Sequence, residues 1–312
     1  MAHSVVLVGL GKMGSEYART IAAHPDLEVV GAVSPSSART REFSSRFGIL
    51  GAYTSVGEAY RSTKAQAAII SVPPRVVSEV LVEAWAYPWK CLTEKPAGSS
   101  LAESSNLLAE QHKAHQPPSV ALNRRFYSQV QEIRSQLDAL PGSKFIVSRD
   151  QYFVGKSPAS RGAQLYEKAI HMVDLFSFLL SDVHVGASSG FERVGKDGML
   201  ASSRIEFSQG SHVHYSTALN IPGRWSISVF SESRNWVLEP LEDGWVNDLQ
   251  CREPRKMAKS EKDILFKPGL SAMLDELVLE LNGAESRLPS LEDSHTSMRL
   301  LSEAFSSLGL PK

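Results

Sequence analysis

The sequence of 312 residues has little cysteine, little net charge and no long hydrophobic run. Its two cysteines, Cys91 and Cys251, lie far apart without CxxC spacing, so the pattern predicts neither a disulfide framework nor a zinc site. The absence of about 18 consecutive apolar residues excludes an ordinary transmembrane helix. A formal charge of -1 gives no field that attracts nucleic acid or an anionic membrane. We therefore expect a cytoplasmic protein whose partner is a small molecule.

Two patterns of hydrophobic residues divide the chain near its middle. In the first part, short β-branched runs alternate with helical patterns, which is typical of βαβ units in a parallel sheet. In the second part, runs of alternating polar and apolar residues lie between turns, which indicates an antiparallel sheet with one covered face. We predict an α/β protein with domains 1–122 and 123–312. A helix that closes the first domain is expected to return from the C-terminal part.

Each part has its own series of predicted elements. The predicted strands of the first part are residues 5–8, 29–33, 68–72, 89–93 and 119–122, and helical patterns begin near Met13, Ser37, Val56, Val76 and Leu101. The predicted strands of the second part are residues 144–153, 186–194, 202–207, 212–219, 225–231 and 235–238. Further helices are predicted over 166–180, 270–281 and 292–308, and the polar residues 251–262 are predicted to form an exposed connection.

A glycine-rich turn follows the first predicted strand and opens a helix. Gly9, Gly11 and Gly14 have the GxGxxG spacing. The first glycine permits a tight turn, the second lets the backbone approach a pyrophosphate, and the third allows the helix to pack closely on the strand. Helical N–H groups then face the phosphates. Such spacing also occurs in simple tight turns, but its place between two strands favours a Rossmann dinucleotide site that includes Lys12 and Met13.

The end of the second predicted strand indicates which dinucleotide binds. An acidic residue there, about 20 residues after the glycine turn, would hydrogen-bond the ribose 2′-hydroxyl of NAD. This chain has Ser34 and Ser36 in that region, whose hydroxyls can donate to a 2′-phosphate, and Arg39, which can supply charge. The alternative is that the serines cap a helix and Arg39 is solvated. The missing acid favours NADP over NAD.

Several short motifs follow the glycine turn in a characteristic order. They are Val72-Pro73-Pro74, Glu94-Lys95-Pro96, Asn123-Arg124-Arg125-Phe126 and Ala169-Ile170-His171-Met172-Val173-Asp174. In their order and spacing the chain resembles the Gfo/Idh/MocA oxidoreductase family over essentially its whole length. The resemblance implies an N-terminal Rossmann domain with a doubly wound parallel sheet. It also implies a C-terminal α+β domain that combines an open-faced, mainly antiparallel sheet with a helix carrying a catalytic histidine.

Lys95 occupies the position of the family's catalytic lysine. The carboxyl ends of parallel strands are where ligands bind, and a lysine beside a nicotinamide can hydrogen-bond a reacting hydroxyl and stabilise developing negative charge. An isolated lysine is normally a solvated surface charge, but its neighbours Glu94 and Pro96 favour the catalytic role. The remaining predicted cofactor contacts lie at other strand ends and are Ser71, Val72, Pro73, Glu94 and Asn123.

Glu167, His171 and Asp174 are spaced to share one face of a helix and are predicted to be catalytic with Lys95. An imidazole titrates near neutrality and suits abstraction of a hydroxyl proton as hydride leaves for nicotinamide. The family usually has an aspartate four residues before the histidine, and the longer Glu167 stands there. The alternative is a helix-face histidine that is satisfied by Asp174.

Metal-dependent chemistry is less attractive. His212 and His214 alternate along a predicted strand and would share a face, but no third ligand stands at a useful spacing. No nucleophile elbow is present, and Cys91 lies in a predicted buried strand. We therefore predict no metal and no nucleophilic catalysis.

The resemblance also implies a reaction and a substrate class. The reaction is hydride transfer between a nicotinamide cofactor and a hydroxyl or keto carbon of a sugar, polyol or nucleotide-linked sugar. Predicted substrate contacts are Lys95, Arg124, Tyr152, Tyr166 and His171, and the cations Lys156 and Arg161 would favour an anionic ligand. Relatives often assemble through the outer face of the C-terminal sheet, which implies a dimer or tetramer.

Two other functions remain open on the sequence. An imine or biliverdin-type reductase can have the same fold, because fold alone does not choose a substrate. A non-catalytic dinucleotide-binding sensor or scaffold is the second alternative, with the replaced acid before His171 as a sign of lost chemistry. The presence of both Lys95 and His171 argues against that second alternative.

Overall fold

The computed structural model describes residues 1–155 and 158–308, with the side chains of 158–161 left undescribed. The chain forms two compact units. The first unit consists of Met1–Asn123 and Lys262–His295, and the second of Arg124–Glu261 with the residues from Thr296 onwards. Within the range 123–312 predicted as one domain, residues 262–295 thus pack with the first unit.

A six-stranded parallel sheet forms the centre of the first unit, in the order β3-β2-β1-β4-β5-β6. Its strands are β1 (His3–Val8), β2 (Leu27–Val33), β3 (Gly51–Tyr53), β4 (Ala67–Ile70), β5 (Lys90–Glu94) and β6 (Ser119–Ala121). All four residues of β4 are fully buried, as expected for a parallel strand covered on both faces. The doubly wound parallel sheet is therefore confirmed. The prediction missed β3, whose three residues contain no β-branched side chain.

Helices of the first unit connect these strands. They are α1 (Lys12–Ala22), α2 (Ser37–Phe47), α3 (Val56–Thr63), α4 (Pro74–Ala84) and α5 (Leu101–Glu110). Ser55 and Ser100 accept hydrogen bonds from the amides of Glu58 and Glu103, so two of the helices begin with a serine cap followed by a glutamate. The predicted strand 68–72 ends at Ile70, because α4 begins at Pro74.

The returning segment of the first unit contains α9 (Leu270–Leu281), whose bounds match the prediction. It follows α8 (Glu261–Leu265) and precedes α10 (Leu291–Ala304), which contributes residues to both units. Buried Lys90 at the start of β5 forms an ion pair with Glu280 of α9 at 3.0 Å, and Ser119 of β6 donates to the same carboxylate at 3.1 Å. The returning segment is thus tied to the edge of the sheet by charged contacts.

The second unit contains an eight-stranded sheet in the order β14-β13-β12-β11-β7-β10-β9-β8. The strands are β7 (Phe145–Tyr152), β8 (His184–Val194), β9 (Gly198–Phe207), β10 (His212–Leu219), β11 (Ser226–Phe230), β12 (Arg234–Leu238), β13 (Gly244–Asp248) and β14 (Arg255–Lys256). Among the described strands of this second sheet only β7 and β10 pair in parallel, so the mainly antiparallel sheet is confirmed. The prediction missed β13 and β14, and β14 lies in the predicted connection 251–262.

Helices cover one face of this sheet. The helices are α6 (Ser128–Asp138), which the prediction missed, and α7 (Pro158–Leu180), which begins earlier than predicted. From Met199 to Phe207 of β9 buried and exposed residues alternate, so the second face of this strand is open. A 3₁₀ turn, Asn123–Phe126, precedes α6, and another, Ser306–Leu308, follows α10. Within 1–155 and 158–308, no helix is long and apolar enough to cross a membrane.

Candidate functional site

The glycine turn lies between β1 and α1 in the first unit, and its backbone is closely packed. Gly9 has a φ of 94°, and a Cβ at this position would lie 2.5 Å from the carbonyl oxygen of Ser71. A Cβ on Gly14 would collide with the carbonyl oxygen of Gly9, and the Ser71 hydroxyl donates to the same oxygen at 2.7 Å. Gly11 is the N-cap of α1 and has no side chain to cover its first-turn N–H groups. These features fit the cradle that a pyrophosphate requires.

The end of β2 carries the residues predicted to contact the adenosine end of a dinucleotide. Ser34 is buried, and Ser36 caps α2 by accepting a hydrogen bond from the backbone N–H of Arg39 at 3.4 Å. The exposed guanidinium of Arg39 reaches back towards the glycine turn, with Nη2 3.5 Å from the carbonyl oxygen of Leu10. A positive charge therefore stands beside the turn. The structure shows the capping role of Ser36 together with the nearby cation.

Lys95 follows β5 at the same carboxyl edge of the sheet as Gly9, since both residues come directly after parallel strands. Glu94 beside it accepts a hydrogen bond from the buried Tyr17 hydroxyl at 2.9 Å. Burial raises the pKa of Glu94, and the nearby charges of Lys95 and Lys267 together with the Tyr17 hydroxyl act in the opposite direction. Two lysine charges thus favour the ionised form of this carboxylate. The peptide bond between Lys95 and Pro96 is cis.

Two members of this cluster were not predicted from the sequence. Tyr17 lies three positions after Gly14 on α1, and Lys267 precedes α9, far away along the chain. The helical spacing of Tyr17 could have indicated a side chain on the sheet-facing side of α1. No local pattern marks Lys267, because the returning segment is what brings it towards Glu94. Asn123 is fixed by the same segment, since its Nδ2 donates to the carbonyl oxygen of Pro268 at 2.9 Å.

The helix α7 carries the predicted acid–base residues of the second unit. His171 is half-buried and Glu167, one turn earlier, is exposed. Asp174 differs from the prediction, because it is 1% exposed and its carboxylate accepts from Arg125 Nε at 2.8 Å and Nη2 at 2.6 Å. The Ser297 hydroxyl donates to it as well, at 3.0 Å. Asp174 therefore forms a buried ion pair that joins α7 to the turn before α6, and its catalytic role stays a prediction.

The two predicted substrate tyrosines are also buried. Tyr166 is fully buried on α7, and its hydroxyl is hydrogen-bonded to the Ser302 side chain. The Tyr152 hydroxyl donates to Asp150 at 2.7 Å. Burial raises the pKa of both phenols. Tyr166 is therefore a packing residue and Tyr152 supports a neighbouring carboxylate, because their hydroxyls are already satisfied within the second unit.

Arg124 is the predicted substrate residue with the most unusual environment. It is 8% exposed, and its guanidinium carbon lies 4.4 Å above the ring of Trp225. Of the two other predicted cations, Lys156 lies outside the described residues and only the backbone of Arg161 is described. His212 and His214 lie with Phe145 on the open sheet face, and the described residues hold no group of three His, Cys, Asp or Glu side chains that fits a metal ion.

A family model matches the N-terminal part of the chain. Residues 3–122 match the GFO_IDH_MocA family model, described as an oxidoreductase family with an NAD-binding Rossmann fold. No curated protein matches the chain in a sequence search.

Solved structures share the fold of the whole chain. An aldose-aldose oxidoreductase from Caulobacter crescentus, solved with glycerol, superposes with a TM-score of 0.83 at 15% identity over 99% of this chain and 98% of its own. An oxidoreductase from Agrobacterium radiobacter, in complex with NAD⁺, L-tartaric acid and magnesium, has a TM-score of 0.82 at 14% identity over 99% and 97%. A UDP-N-acetylglucosamine 3-dehydrogenase from Acidithiobacillus ferrooxidans has a TM-score of 0.75 at 17% identity over 98% and 96%.

Proposed function

We propose that the protein is an oxidoreductase of the Gfo/Idh/MocA family, whose model matches residues 3–122, and that it catalyses hydride transfer on a sugar-like substrate. The reacting carbon bears a hydroxyl or keto group of a sugar, polyol or nucleotide-linked sugar. The observation that carries the proposal is Lys95 at the strand edge that also holds the glycine cradle. Two structural relatives with the same fold, an aldose oxidoreductase and a sugar-nucleotide dehydrogenase by name, support the substrate class.

The cradle accounts for how the chain holds a dinucleotide. Gly9 and Gly14 allow the turn to pack closely on its own backbone, and Gly11 faces open space that phosphate oxygens can occupy. The N–H groups of Lys12 and Met13 at the start of α1 bind these oxygens. At other strand ends the proposed cofactor contacts are Ser34, Ser36, Arg39, Ser71, Val72, Pro73, Glu94, Lys95 and Asn123. When bound, the nicotinamide accepts or donates the hydride, and the protein supplies geometry and electrostatics.

Lys95 and His171 have different roles at the reacting hydroxyl. In the direction of oxidation, Nζ of Lys95 donates a hydrogen bond to the hydroxyl oxygen and stabilises its developing negative charge. An imidazole nitrogen of His171 accepts the hydroxyl proton while the C–H bond breaks and its electron pair leaves with the hydride. In reduction His171 returns the proton to the oxygen. Glu167, one turn before His171 on α7, holds the imidazolium by its charge.

A titration with NADH and NADPH tests the proposal directly. Binding is measured by fluorescence of the reduced cofactor, and turnover by absorbance with a panel of aldoses, polyols and UDP-sugars. We expect micromolar binding and turnover of at least one panel member. Absence of binding contradicts the oxidoreductase assignment. A second panel contains imines and tetrapyrroles. Cofactor binding with turnover of this second panel alone supports the reductase alternative. Cofactor binding without turnover of either panel supports the non-catalytic sensor or scaffold.

The cofactor preference is proposed to be NADP, and Arg39→Ala tests it. We expect the variant to bind NADPH about tenfold more weakly, the equivalent of one charge-assisted hydrogen bond, and NADH almost unchanged. Arg46→Ala is the matched control, because Arg46 lies in the last turn of the same helix and stacks on Phe47. Equal weakening of both cofactors by Arg39→Ala would show that the guanidinium does not read the 2′-phosphate.

The open sheet face of the second unit is proposed to join two copies of the chain. Phe145, Phe230, His212 and His214 form a ring cluster there, with Phe145 5.8 Å from Phe230 and 4.5 Å from His212 between centroids. Phe230 is 37% exposed, which is unusual for a clustered aromatic ring. Phe230→Glu should convert the dimer or tetramer to smaller species in light scattering. Ile264→Glu, at an exposed apolar position in the first unit, should leave the mass unchanged.

A further inference from the structure

The second unit contains a buried carboxylate that the proposed reaction does not use. Asp150 on β7 is 2% exposed, and its Oδ2 accepts from the hydroxyls of Tyr152 at 2.7 Å and Tyr215 at 2.5 Å. Burial raises the pKa of Asp150 to about 6, while the two tyrosine hydroxyls and the charge of Arg124 act in the opposite direction. Hydrogen bonds from β7 and from its parallel neighbour β10 therefore converge on one carboxylate.

The guanidinium of Arg124 is held over an aromatic platform, the Trp225 ring, which is linked to this carboxylate through Tyr152. The Trp225 ring is fixed by a hydrogen bond from its Nε1 to the carbonyl oxygen of Gln151 at 2.9 Å, and it contacts the Tyr152 ring at 5.3 Å between centroids. Nη1 of Arg124 is buried and meets no hydrogen-bond acceptor among the described residues. A buried cationic donor without an acceptor is costly, which indicates that a ligand or water completes its environment.

The backbone of Arg124 is fixed near the proposed acid–base residue. Its neighbour Arg125 forms the bidentate ion pair with Asp174, which lies three positions after His171 on α7. This contact holds the 3₁₀ turn against the helical turn that follows His171. Within the second unit, Arg124 and His171 are thus placed by the same rigid attachment.

We propose that Asp150 is a positioning residue that holds Arg124 on Trp225, so that Nη1 of Arg124 can donate a hydrogen bond to an oxygen of the substrate. The inference rests on the proposed function and names one of its specificity-determining contacts. A guanidinium donor suits hydroxyl, carboxylate or phosphate oxygens alike. Tyr152 and Tyr215 set the position of the carboxylate. The side chains packed against Tyr215 from other elements, Phe176 and Phe305, carry no charge.

The charge of Asp150 makes this arrangement depend on pH in a defined direction. Above about pH 6 the carboxylate is ionised and attracts Arg124, whereas below it the neutral acid does not. Substrate binding should therefore weaken as the pH falls through this range. The interaction of Asp150 with Arg124 does not depend on cofactor chemistry. It can therefore be measured on the full chain without turnover.

Tryptophan fluorescence, measured as a function of pH between 5 and 8, tests whether the charge of Asp150 affects the contact of Arg124 with Trp225. The wild type should show a transition centred near pH 6, which Asp150→Asn abolishes and Trp225→Phe removes from the signal. Asp182→Asn is the matched control, since Asp182 is a largely buried aspartate of the same unit that accepts from Ser208. A transition near pH 6 that persists in Asp150→Asn or in Trp225→Phe would contradict the proposal that Asp150 holds Arg124 on Trp225.

A second variant keeps the test decisive if Asp150→Asn unfolds. Tyr215→Phe removes one hydroxyl that stabilises the carboxylate, so the fluorescence midpoint should move to higher pH. An unmoved midpoint in a folded Tyr215→Phe protein contradicts the inference.

Steady-state kinetics test whether Arg124 contacts the substrate. They use a substrate from the panel that the enzyme converts. Asp150→Asn and Arg124→Ala should each raise KM about tenfold at pH 8 with kcat within about twofold, and the double variant should be no worse than either. Neutral and phosphorylated substrates distinguish hydroxyl from phosphate recognition. A loss in kcat with KM unchanged would overturn the positioning role. If no substrate is turned over, the proposed function fails, while the fluorescence result still decides whether Asp150 holds Arg124.

Discussion

Lys95→Met should lower kcat/KM for the sugar-like substrate by roughly a hundredfold or more, while the dissociation constant of NADPH changes by less than about threefold. Methionine preserves the length and packing of the aliphatic chain but cannot donate a hydrogen bond. The loss should appear mainly in kcat, because the lysine stabilises charge that develops on the oxygen only as the proton and hydride leave.

The measurements that check this prediction are steady-state kinetics and a cofactor titration on the same preparation. Lys113→Met is the matched control, since Lys113 is an exposed lysine of the same unit whose ammonium pairs only with Glu110 in the described structure. Its kinetic constants should equal those of the wild type. A Lys95→Met enzyme that retains a tenth or more of the wild-type kcat/KM would remove Lys95 from the mechanism and leave the dinucleotide site intact.

Asp174→Ala should lower the free energy of unfolding by about 3–5 kcal/mol, because it leaves the buried guanidinium of Arg125 without its carboxylate. The Ser297 hydroxyl loses its acceptor at the same time. Chemical denaturation followed by circular dichroism measures the change. Asp138→Ala removes an exposed partner of Arg134 in an i,i+4 pair and should cost less than about 1 kcal/mol.

Activity separates this structural role of Asp174 from the catalytic one that its spacing predicts. Folded Asp174→Asn should keep a kcat within about fivefold of the wild type, whereas His171→Asn should lose about a hundredfold or more. The double variant Arg125→Met, Asp174→Leu replaces the ion pair by apolar groups and should recover part of the lost stability. A folded Asp174→Asn that is as inactive as His171→Asn would restore Asp174 to the catalytic group.

Local sequence patterns were sufficient for the parts of the fold that depend on neighbouring residues. The glycine turn after β1, the long β-branched strands and the helix with His171 each follow from spacing within a short window. β3 and α6 were missed for the same reason, since Gly51–Tyr53 has no β-branched residue and Ser128–Asp138 is largely polar. Element boundaries moved where a proline began a helix, as at Pro74.

The partners of buried charged residues could not be predicted from local sequence patterns. The spacing of His171 and Asp174 correctly places both on α7, but Arg125, which binds Asp174, lies 49 residues earlier. Lys267 and Tyr17 approach Glu94 from opposite ends of the first unit's sequence, and Asp150 depends on a strand 65 residues away. Such pairs arise from chain topology, so a single sequence without its fold gives no signal for them.

The return of residues 262–295 to the first unit sets an order for synthesis on the ribosome. When Asn123 has emerged, five strands could pair around β1, but Lys90 still lacks Glu280 and β6 lacks the backbone of Pro289, whose oxygen accepts from Val120 at 2.7 Å. All the strands of the second unit leave the ribosome before these partners do. The first unit therefore still lacks its returning segment when every strand of the second unit has emerged, and a chain cut after residue 123 should be a substrate for chaperones and proteases rather than a free-standing nucleotide-binding module.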